Sequence, residues 1–441
     1  MLKSLFAVAE LKLFYRVGLR YSLLLFLMTL PLSAQDLPSF PWGIVSAPTE
    51  SEQKNTFGYG FSVGTDYDDQ LPANSTVDHD FIYSVQPNID WQIVRRRWRS
   101  TLDYTTAFSY SKHRVSGYDL FAQSLNFDFG KRFTKRLALD VRNNFTRTSN
   151  PFDYLQFTAD QPTTPVPDGP NTSTPGTISA RRIEQFGTTL GYRLTNRSVL
   201  GIGGSFMQID QQRLGDESSF DPGLRSRAGS GRIFLARQTG PRSLMGFGYT
   251  YQDLDFGHGQ VTTQAHTLLY FWNLSVSPTL MISLFAGPAY SGTRQLTAFG
   301  PGPLNTDLSG SGGATLTWTT QRNELSLSAT RRITDGSWVG GNVLLDSYSG
   351  RVKRRISAHL SIDGFVTYNR NHLLLPTSTT SRFDYFAAGG GLSRQLTAHT
   401  ALSLLYWRLQ QDDFTQPGTV LAGNRAGIRL SYNNLVPVGR R

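Results

Sequence analysis

The dominant pattern along the chain is an alternation of apolar and small or polar residues with a period of two. It begins with Phe57, Tyr59, Phe61 and Val63, which are interleaved with Gly, Gly, Ser and Gly. Because successive side chains of a β-strand point to opposite faces, this segment predicts a strand with one apolar and one polar face. Similar segments recur as far as Tyr432, and they predict an all-β chain.

A soluble β-sandwich shows the same alternation, so other features must separate it from a membrane barrel. The apolar face is rich in aromatic residues near turns, as expected for rings at a membrane interface; these are Trp98, Tyr110, Trp272, Trp318 and Tyr432. Eight short turns, the first at 95–97 and the last at 395–398, alternate with mostly longer loops. This rhythm is typical of a transmembrane antiparallel up-and-down β-barrel.

Counting strands between these turns predicts eighteen, with sixteen as the main competitor because the strands near residues 233 and 315 are weakly patterned. An even number returns the C-terminus to the N-terminal side, as single-chain bacterial barrels require. An Arg-apolar-Thr/Ser string marks several short turns. The same string at Arg331-Arg332-Ile333-Thr334 falls instead near an external loop, which makes it the weakest point of the count.

The chain divides into four predicted segments. Residues 1–34 have basic residues before a short apolar run and end in Ser-Ala, which predicts a cleaved signal peptide; an uncleaved anchor would need a longer run. Residues 35–55 predict a flexible periplasmic lead-in, because they are rich in Pro, Ser and Glu. Residues 56–432 form the predicted barrel, and residues 433–441 a C-terminal periplasmic tail.

The last predicted strand resembles the C-terminal signal by which Gram-negative outer-membrane barrels are recognised by their assembly machinery. Arg425, Gly427, Leu430 and Tyr432 carry that resemblance, although the chain continues beyond the aromatic residue. The chain as a whole also resembles large outer-membrane barrels associated with exopolysaccharide loci, through its Arg-apolar-Thr turns and the closing Val-Pro-Val-Gly-Arg at 436–440. These resemblances imply a cell outer-membrane location, with the assembly machinery, membrane lipid and lipopolysaccharide as partners.

A barrel of sixteen to eighteen strands leaves an aqueous lumen unless a plug fills it. The alternation assigns six charged candidates to the lumen wall: Arg142, Arg232, Arg429, Asp103, Asp128 and Asp140. An excess of cations in a pore favours anionic solutes. The alternative is that these Arg residues pair with neighbouring acids and only satisfy the polar interior. The Pro-rich segment 150–175 is a candidate constriction by analogy with porins.

An external acidic rim is predicted around the first long loop, and it is the only constellation that resembles an active site. It comprises Asp66, Asp68, Asp69, Asp78, His79 and Asp80. Asp and His pairs can activate water, but acidic loops commonly bind divalent cations or stay solvated, so no enzyme is predicted. The scattered His residues and the absence of Cys predict no metal centre and no cofactor.

The formal net charge of +11 raises the question of nucleic acid, but secretion argues against that partner. The basic runs fall at the short turns, where cations can meet anionic headgroups. The leading hypothesis is a passive or gated conduit for small polar solutes, anionic ones among them, or for an exported polysaccharide. The alternatives are a structural or adhesive barrel with partner-binding loops, and a hydrolase at the external acidic rim.

Overall fold

The computed structural model describes residues 55–69, 80–111, 121–148, 179–213, 225–257, 259–297, 299–336, 341–374, 382–412 and 420–437. These ranges consist of strands joined by short turns. Among the described residues, no helix is long and apolar enough to span a membrane.

Nineteen strands lie in the described ranges, and all but the two-residue β12 belong to one sheet wall. They are β1 (Thr56–Asp68), β2 (Asp80–Arg95), β3 (Trp98–Ser111), β4 (Phe121–Arg132), β5 (Leu137–Thr148), β6 (Ser179–Arg193), β7 (Ser198–Arg213), β8 (Ser226–Gly240), β9 (Ser243–Phe256), β10 (Val261–Ser277), β11 (Leu280–Thr297), β12 (Gly300–Pro301), β13 (Asn305–Thr319), β14 (Asn323–Gly336), β15 (Gly341–Arg355), β16 (Leu360–Leu373), β17 (Arg382–Gln395), β18 (Thr400–Asp412) and β19 (Val420–Pro437).

The wall is an antiparallel barrel in which each strand pairs with the strands before and after it in the chain. It closes where β1 pairs with β19, from Thr56 opposite Pro437 to Asp68 opposite Arg425. β12 pairs only with the end of β11, and β11 pairs directly with β13. In the described ranges the barrel therefore has eighteen strands, which confirms the predicted fold and excludes the count of sixteen.

The two weakly patterned segments are full strands, and the structure gives the reason for the weak pattern. In β8 the buried Phe234 lies between Ile233 and Leu235, which are exposed on the outer face, so both faces are apolar and the alternation disappears. In β13 the alternation is weak because Ser, Thr and Gly occupy most positions on both faces. Pairing with the neighbouring strands, rather than local contrast between faces, defines these two elements.

The short turns share one barrel end, which we call the short-turn end. Four of them contain a five-residue turn in which a Thr or Ser hydroxyl accepts backbone N–H groups, at Thr134, Thr195, Ser357 and Thr397. The Thr134 Oγ1, for example, accepts from the N–H groups of Arg136 at 3.1 Å and Leu137 at 3.0 Å. The hydroxyl satisfies donors that the ladder leaves unpaired, which explains the repeated Arg-apolar-Thr/Ser string.

The last strand extends beyond the predicted boundary at residue 432. β19 continues to Pro437, and its residues from Asn433 onward pair with Thr56 to Gly60 of β1. Residues 433–437 of the predicted tail therefore belong to the barrel, because the first strand starts at Thr56 and pairs along its whole length. Residues 1–54 and 438–441, and so the predicted signal peptide and lead-in, lie outside the described residues.

Candidate functional site

The two faces of the wall are distinguished by exposure. On β2, Phe81, Tyr83 and Val85 are exposed, whereas Ile82 and Ser84 between them are buried. Following the ladder from strand to strand assigns every position to the outer or the inner face. All six predicted lumen residues take inner positions: Asp103, Asp128, Asp140, Arg142, Arg232 and Arg429. Their role in permeation remains a prediction.

One side of the inner wall, formed by β2 to β5, is charged and wet. The Arg142 Nε lies 3.6 Å from Asp128 Oδ1 and 3.6 Å from Asp140 Oδ1. The side chains of Arg142 and Asp128 are 39% and 51% exposed, so water reaches both. Asp103 is also exposed, and it lies opposite Asp90 in the ladder. These groups can interact with a solute in the lumen.

Arg232 occupies a different setting on β8. Its Nη2 donates a hydrogen bond of 2.6 Å to Thr189 Oγ1 of β6, two strands away. The side chain passes over Gly203 of β7, where a Cβ atom would come within 2.8 Å of Arg232 Nε. The glycine thus allows the guanidinium to lie along the inner wall.

Arg429 lies at the seam where the barrel closes. Its Nη2 is 3.7 Å from Asp66 Oδ2. Beside it, Arg425 Nη2 donates to Asp68 Oδ2 at 2.8 Å, and these two side chains are only 2% and 1% exposed. Asn424 Nδ2 donates to Asp69 Oδ2 at 2.7 Å. Three acidic residues of β1 and its end therefore join β19 in a ladder of polar contacts.

The external acidic rim is thus divided by the structure. Asp66, Asp68 and Asp69 contact β19 across the seam, while Asp80 accepts hydrogen bonds from the N–H of Phe81 at 2.7 Å and from the Ser111 hydroxyl. Asp78 and His79 lie outside the described residues. Among the residues that are described, no group of three or more His, Asp or Glu side chains is arranged to hold a metal ion.

The β14–β15 hairpin has a feature that sequence reasoning missed: the half nearest the long-loop end lies inside the barrel. β13 pairs with β14 only as far as Gly312 opposite Arg331, and above this point β14 leaves β13. By alternation, Ile333 and Leu344 lie on the same strand faces as Leu327 and Tyr348, which are exposed nearer the short-turn end. Ile333 and Leu344 are nevertheless buried. They pack against inner-face residues of the opposite wall: Ile183, Met207, Ile209, Ala228, Leu254, Ala265 and Ala289.

A polar contact also joins the hairpin to the opposite wall. The Asn342 Nδ2 donates a hydrogen bond of 2.7 Å to Thr263 Oγ1 of β10, and both residues are buried. The other face of the hairpin packs on its own side of the barrel, where Val343 and Leu345 contact Phe383 and the partly buried Leu373. The described ends of the two strands, with Ile333, Asn342 and Leu344, therefore bridge the lumen from one wall to the other near the long-loop end, and we call these ends the hairpin tip.

Inner aromatic residues were also missed by the sequence reasoning, which assigned aromatics to the outer face. Phe234, Phe271 and Phe285 each lie over a glycine at the paired position of a neighbouring strand. A Cβ atom on any of these glycines would overlap the ring; they are Gly201, Gly246 and Gly313. Trp407 covers Gly389 in the same way. The sequence contains these glycine–aromatic pairs, but they can be recognised only when the strand register is known.

The outer surface shows the environment of the barrel. Exposed large apolar side chains run around its strands, for example Phe61, Tyr83, Phe247, Leu268 and Ile428. A closed barrel leaves no unpaired strand edge, and an apolar outer band on such a barrel is stable in hydrocarbon rather than in water. Four of the five predicted interface aromatics lie at the short-turn end and one, Tyr110, at the other, all at outer positions.

The closed wall and its apolar outer band are the architecture of a transmembrane β-barrel, the kind found in bacterial outer membranes. In barrels of this kind the short turns lie on the periplasmic side, so the prediction places the short-turn end there. Of the residues in the predicted assembly signal, Arg425 and Gly427 face inward, while Leu430 and Tyr432 face outward. Tyr432 stacks on Phe61 of β1, with 5.7 Å between the ring centroids.

No protein-family model and no curated protein matches the sequence. Among solved structures, OccAB3 of Acinetobacter baumannii shares 10% identity at a TM-score of 0.43, with 87% of this chain and 99% of that chain covered. OpdK of Pseudomonas aeruginosa shares 11% identity at a TM-score of 0.40, with 86% and 99% covered. The ferric citrate transporter FecA gives 9% and 0.43, with 87% and 79% covered. At these identities the likeness concerns the fold alone.

Proposed function

We propose that this outer-membrane barrel is a gated conduit for small polar solutes and that the β14–β15 hairpin is its gate. The observation that carries the proposal is the contrast along the lumen. The charged wall around Asp103, Asp128 and Arg142 is in contact with water, whereas the hairpin tip packs across the lumen through Ile333, Leu344 and Asn342. The hairpin contact is small and made of both apolar and polar side chains, and it closes off a water-filled part of the lumen. Such a contact can break and re-form, which opens and closes the passage.

The size of the gate favours small solutes over a polymer. Above Arg331, β14 has no ladder to β13. Among the described residues, the hairpin is held there by the contacts at the tip, by the packing of Val343 and Leu345, and by the pairing of β14 with β15 and of β15 with β16. A partial displacement of the tip admits a small solute, whereas an exported polysaccharide requires the hairpin to leave the lumen along its whole width. For this reason we do not extend the proposal to polysaccharide.

We do not propose catalysis at the external acidic rim. Asp66 and Asp68 contact Arg429 and Arg425 across the seam, which gives these carboxylates a role in closing the barrel. Nor is adhesion by the long loops proposed, because those loops lie outside the described residues. The segment 150–175, the predicted constriction, is among them.

A thiol cross-link tests the gate directly, since the chain has no Cys of its own. Asn342→Cys and Thr263→Cys place two thiols across the lumen, where a disulfide or a short bifunctional reagent can join them. Ser328→Cys and Ser349→Cys form the control: these residues face each other within the same hairpin, with 2.7 Å between their hydroxyl oxygens. Single-channel conductance in a planar bilayer is measured before and after reduction.

We expect openings from the unmodified protein and from the control pair, and none from the cross-lumen pair until the link is reduced. Openings that persist with the cross-lumen link in place would show that the hairpin is not the gate. A barrel that is folded, as judged by its gel mobility before and after heating, but silent under every condition would contradict the conduit itself.

A further inference from the structure

The periplasmic, short-turn end of the barrel carries cations and almost no accessible acid. All eight short turns are described, and their sequences contain no Asp or Glu. The turns contain seven cations: Arg96, Arg97, Lys135, Arg136, Arg197, Arg242 and Arg322. Such a concentration of one sign creates a local positive potential on this side of the membrane.

Five further cations lie at the ends of strands on the outer face: Arg95, Lys131, Arg237, Arg354 and Arg394. The register places them beside apolar residues of the lipid-facing surface. Lys131 is paired with Trp98, and Arg354 with Ile362. All five are exposed, and they are distributed around the barrel on β2, β4, β8, β15 and β17. We call this set the collar.

The acidic residues nearest this end face the other way. Asp128, Asp140, Glu324 and Asp363 all take inner positions in the ladder. In the described strands, the outer face at the short-turn end therefore presents cations without carboxylates to neutralise them. Charge is divided between the two faces of the same wall, which overall composition does not reveal.

Apolar side chains extend from the turns at the same level. Phe133, Leu194, Ile356 and Leu396 are 44% to 51% exposed at the tips of the four hydroxyl-containing turns. The Lys131 Nζ lies 5.1 Å from the centre of the Phe133 ring. Apolar tips beside cations are suited to the boundary between lipid headgroups and acyl chains.

We propose that the collar binds the headgroups of anionic phospholipids in the periplasmic leaflet of the outer membrane. The strand register places the collar on the outer, lipid-facing side of the wall. A solute in the conduit meets the inner face, so lipid rather than solute is the partner within reach of the collar. Cations close to a membrane surface are attracted by anionic lipid, and each contributes on the order of a five-fold factor to binding.

The chain offers a control set of equal charge on the opposite face. The collar variant combines Lys131→Gln, Arg237→Gln, Arg354→Gln and Arg394→Gln. The control variant combines Arg132→Gln, Arg193→Gln, Lys353→Gln and Arg355→Gln, whose positions face inward. Lys131 and Arg132 are neighbours in sequence, as are Arg354 and Arg355, so the two sets differ mainly in the face that loses charge.

The protein in neutral detergent is equilibrated with equal amounts of phosphatidylglycerol and phosphatidylcholine, and native mass spectrometry counts each lipid bound. We expect the unmodified protein and the control variant to retain phosphatidylglycerol preferentially, and the collar variant to lose at least ten-fold of that preference. A third variant, with Lys in place of Arg237, Arg354 and Arg394, keeps the charge and should keep the preference, which separates lost binding from misfolding.

Two results would overturn the proposal. One is a collar variant that retains the preference, or a control variant that loses it equally. The other is displacement of phosphatidylglycerol by inorganic phosphate at the same concentration, which would indicate a general anion site. Conductance is measured on the same preparations; because lipid binding and conduction are separate readouts, failure of the conduit leaves this test unaffected.

Discussion

Two sets of Arg–Asp contacts on the inner wall look alike in sequence and differ in structure. At the seam, Arg425 and Asp68 are almost completely buried and 2.8 Å apart. On the β4–β5 wall, Arg142 and Asp128 are 3.6 Å apart and about half exposed. Each set places an Arg and an Asp on the inner face of paired strands, so alternation alone treats them as equivalent.

The difference shows that an inward charge has two distinct uses in a barrel. Water screens the Arg142 pair, so it contributes little to stability but can act on a solute. The Arg425 pair is removed from water, and each partner depends on the other to compensate its desolvation. Whether an inward Arg–Asp pair stabilises the barrel or acts on a solute depends on whether it lies at the buried seam or on the part of the wall that water reaches.

The largest expected effect comes from breaking the buried pair. Arg425→Ala removes the guanidinium from Asp68 and should lower the free energy of unfolding by about 3–5 kcal/mol. Arg142→Ala, the matched change on the wet wall, leaves Asp128 in water and Asp140 beside Arg99, 3.8 Å away, so it should cost less than about 1 kcal/mol. Urea unfolding of both variants in lipid vesicles measures the difference. Equal losses would contradict the distinction between the two sets.

A smaller effect is expected from crowding the seam. A Cβ atom at Gly427 would overlap the Asp66 carboxylate, so Gly427→Ala must displace the group that contacts Arg429. The expected loss is about 1–3 kcal/mol. Gly231→Ala is the control, because a Cβ there meets no atom within 4 Å. The seam would be less tightly packed than described if both variants unfolded at the same urea concentration.

The smallest expected effect is on ion selectivity. Arg142→Gln removes the cation beside Asp128 and Asp140 and leaves Arg99 as another cation of this wall, so selectivity should shift toward cations. We expect on the order of a two-fold change in the permeability ratio. The reversal potential in a salt gradient measures it. The comparison is with Lys353→Gln, which removes an inward-facing cation on β15, on the opposite side of the barrel from β5; an identical shift would show that only net charge matters.

Much of the fold could be predicted from local sequence. The eighteen strands, the short turns and the inner face of the six charged lumen candidates follow from a period of two and from turn chemistry. Even the repeated Arg-apolar-Thr string corresponds to a real turn in four places. At Arg332-Ile333-Thr334 the same string lies within β14, with Ile333 and Thr334 buried. The string alone does not specify a turn.

The sequence by itself determined the architecture, because strand alternation, turn length and the apolar outer face are properties of neighbouring residues. Only the tertiary structure decided which inward charges are buried at the seam, which aromatics cover a glycine, and that the β14–β15 hairpin crosses the lumen. Each of these depends on residues far apart in the chain, such as Asn342 with Thr263 or Asp68 with Arg425. Alternation fixes the face on which a side chain lies, but it contains no information about what stands opposite across the barrel.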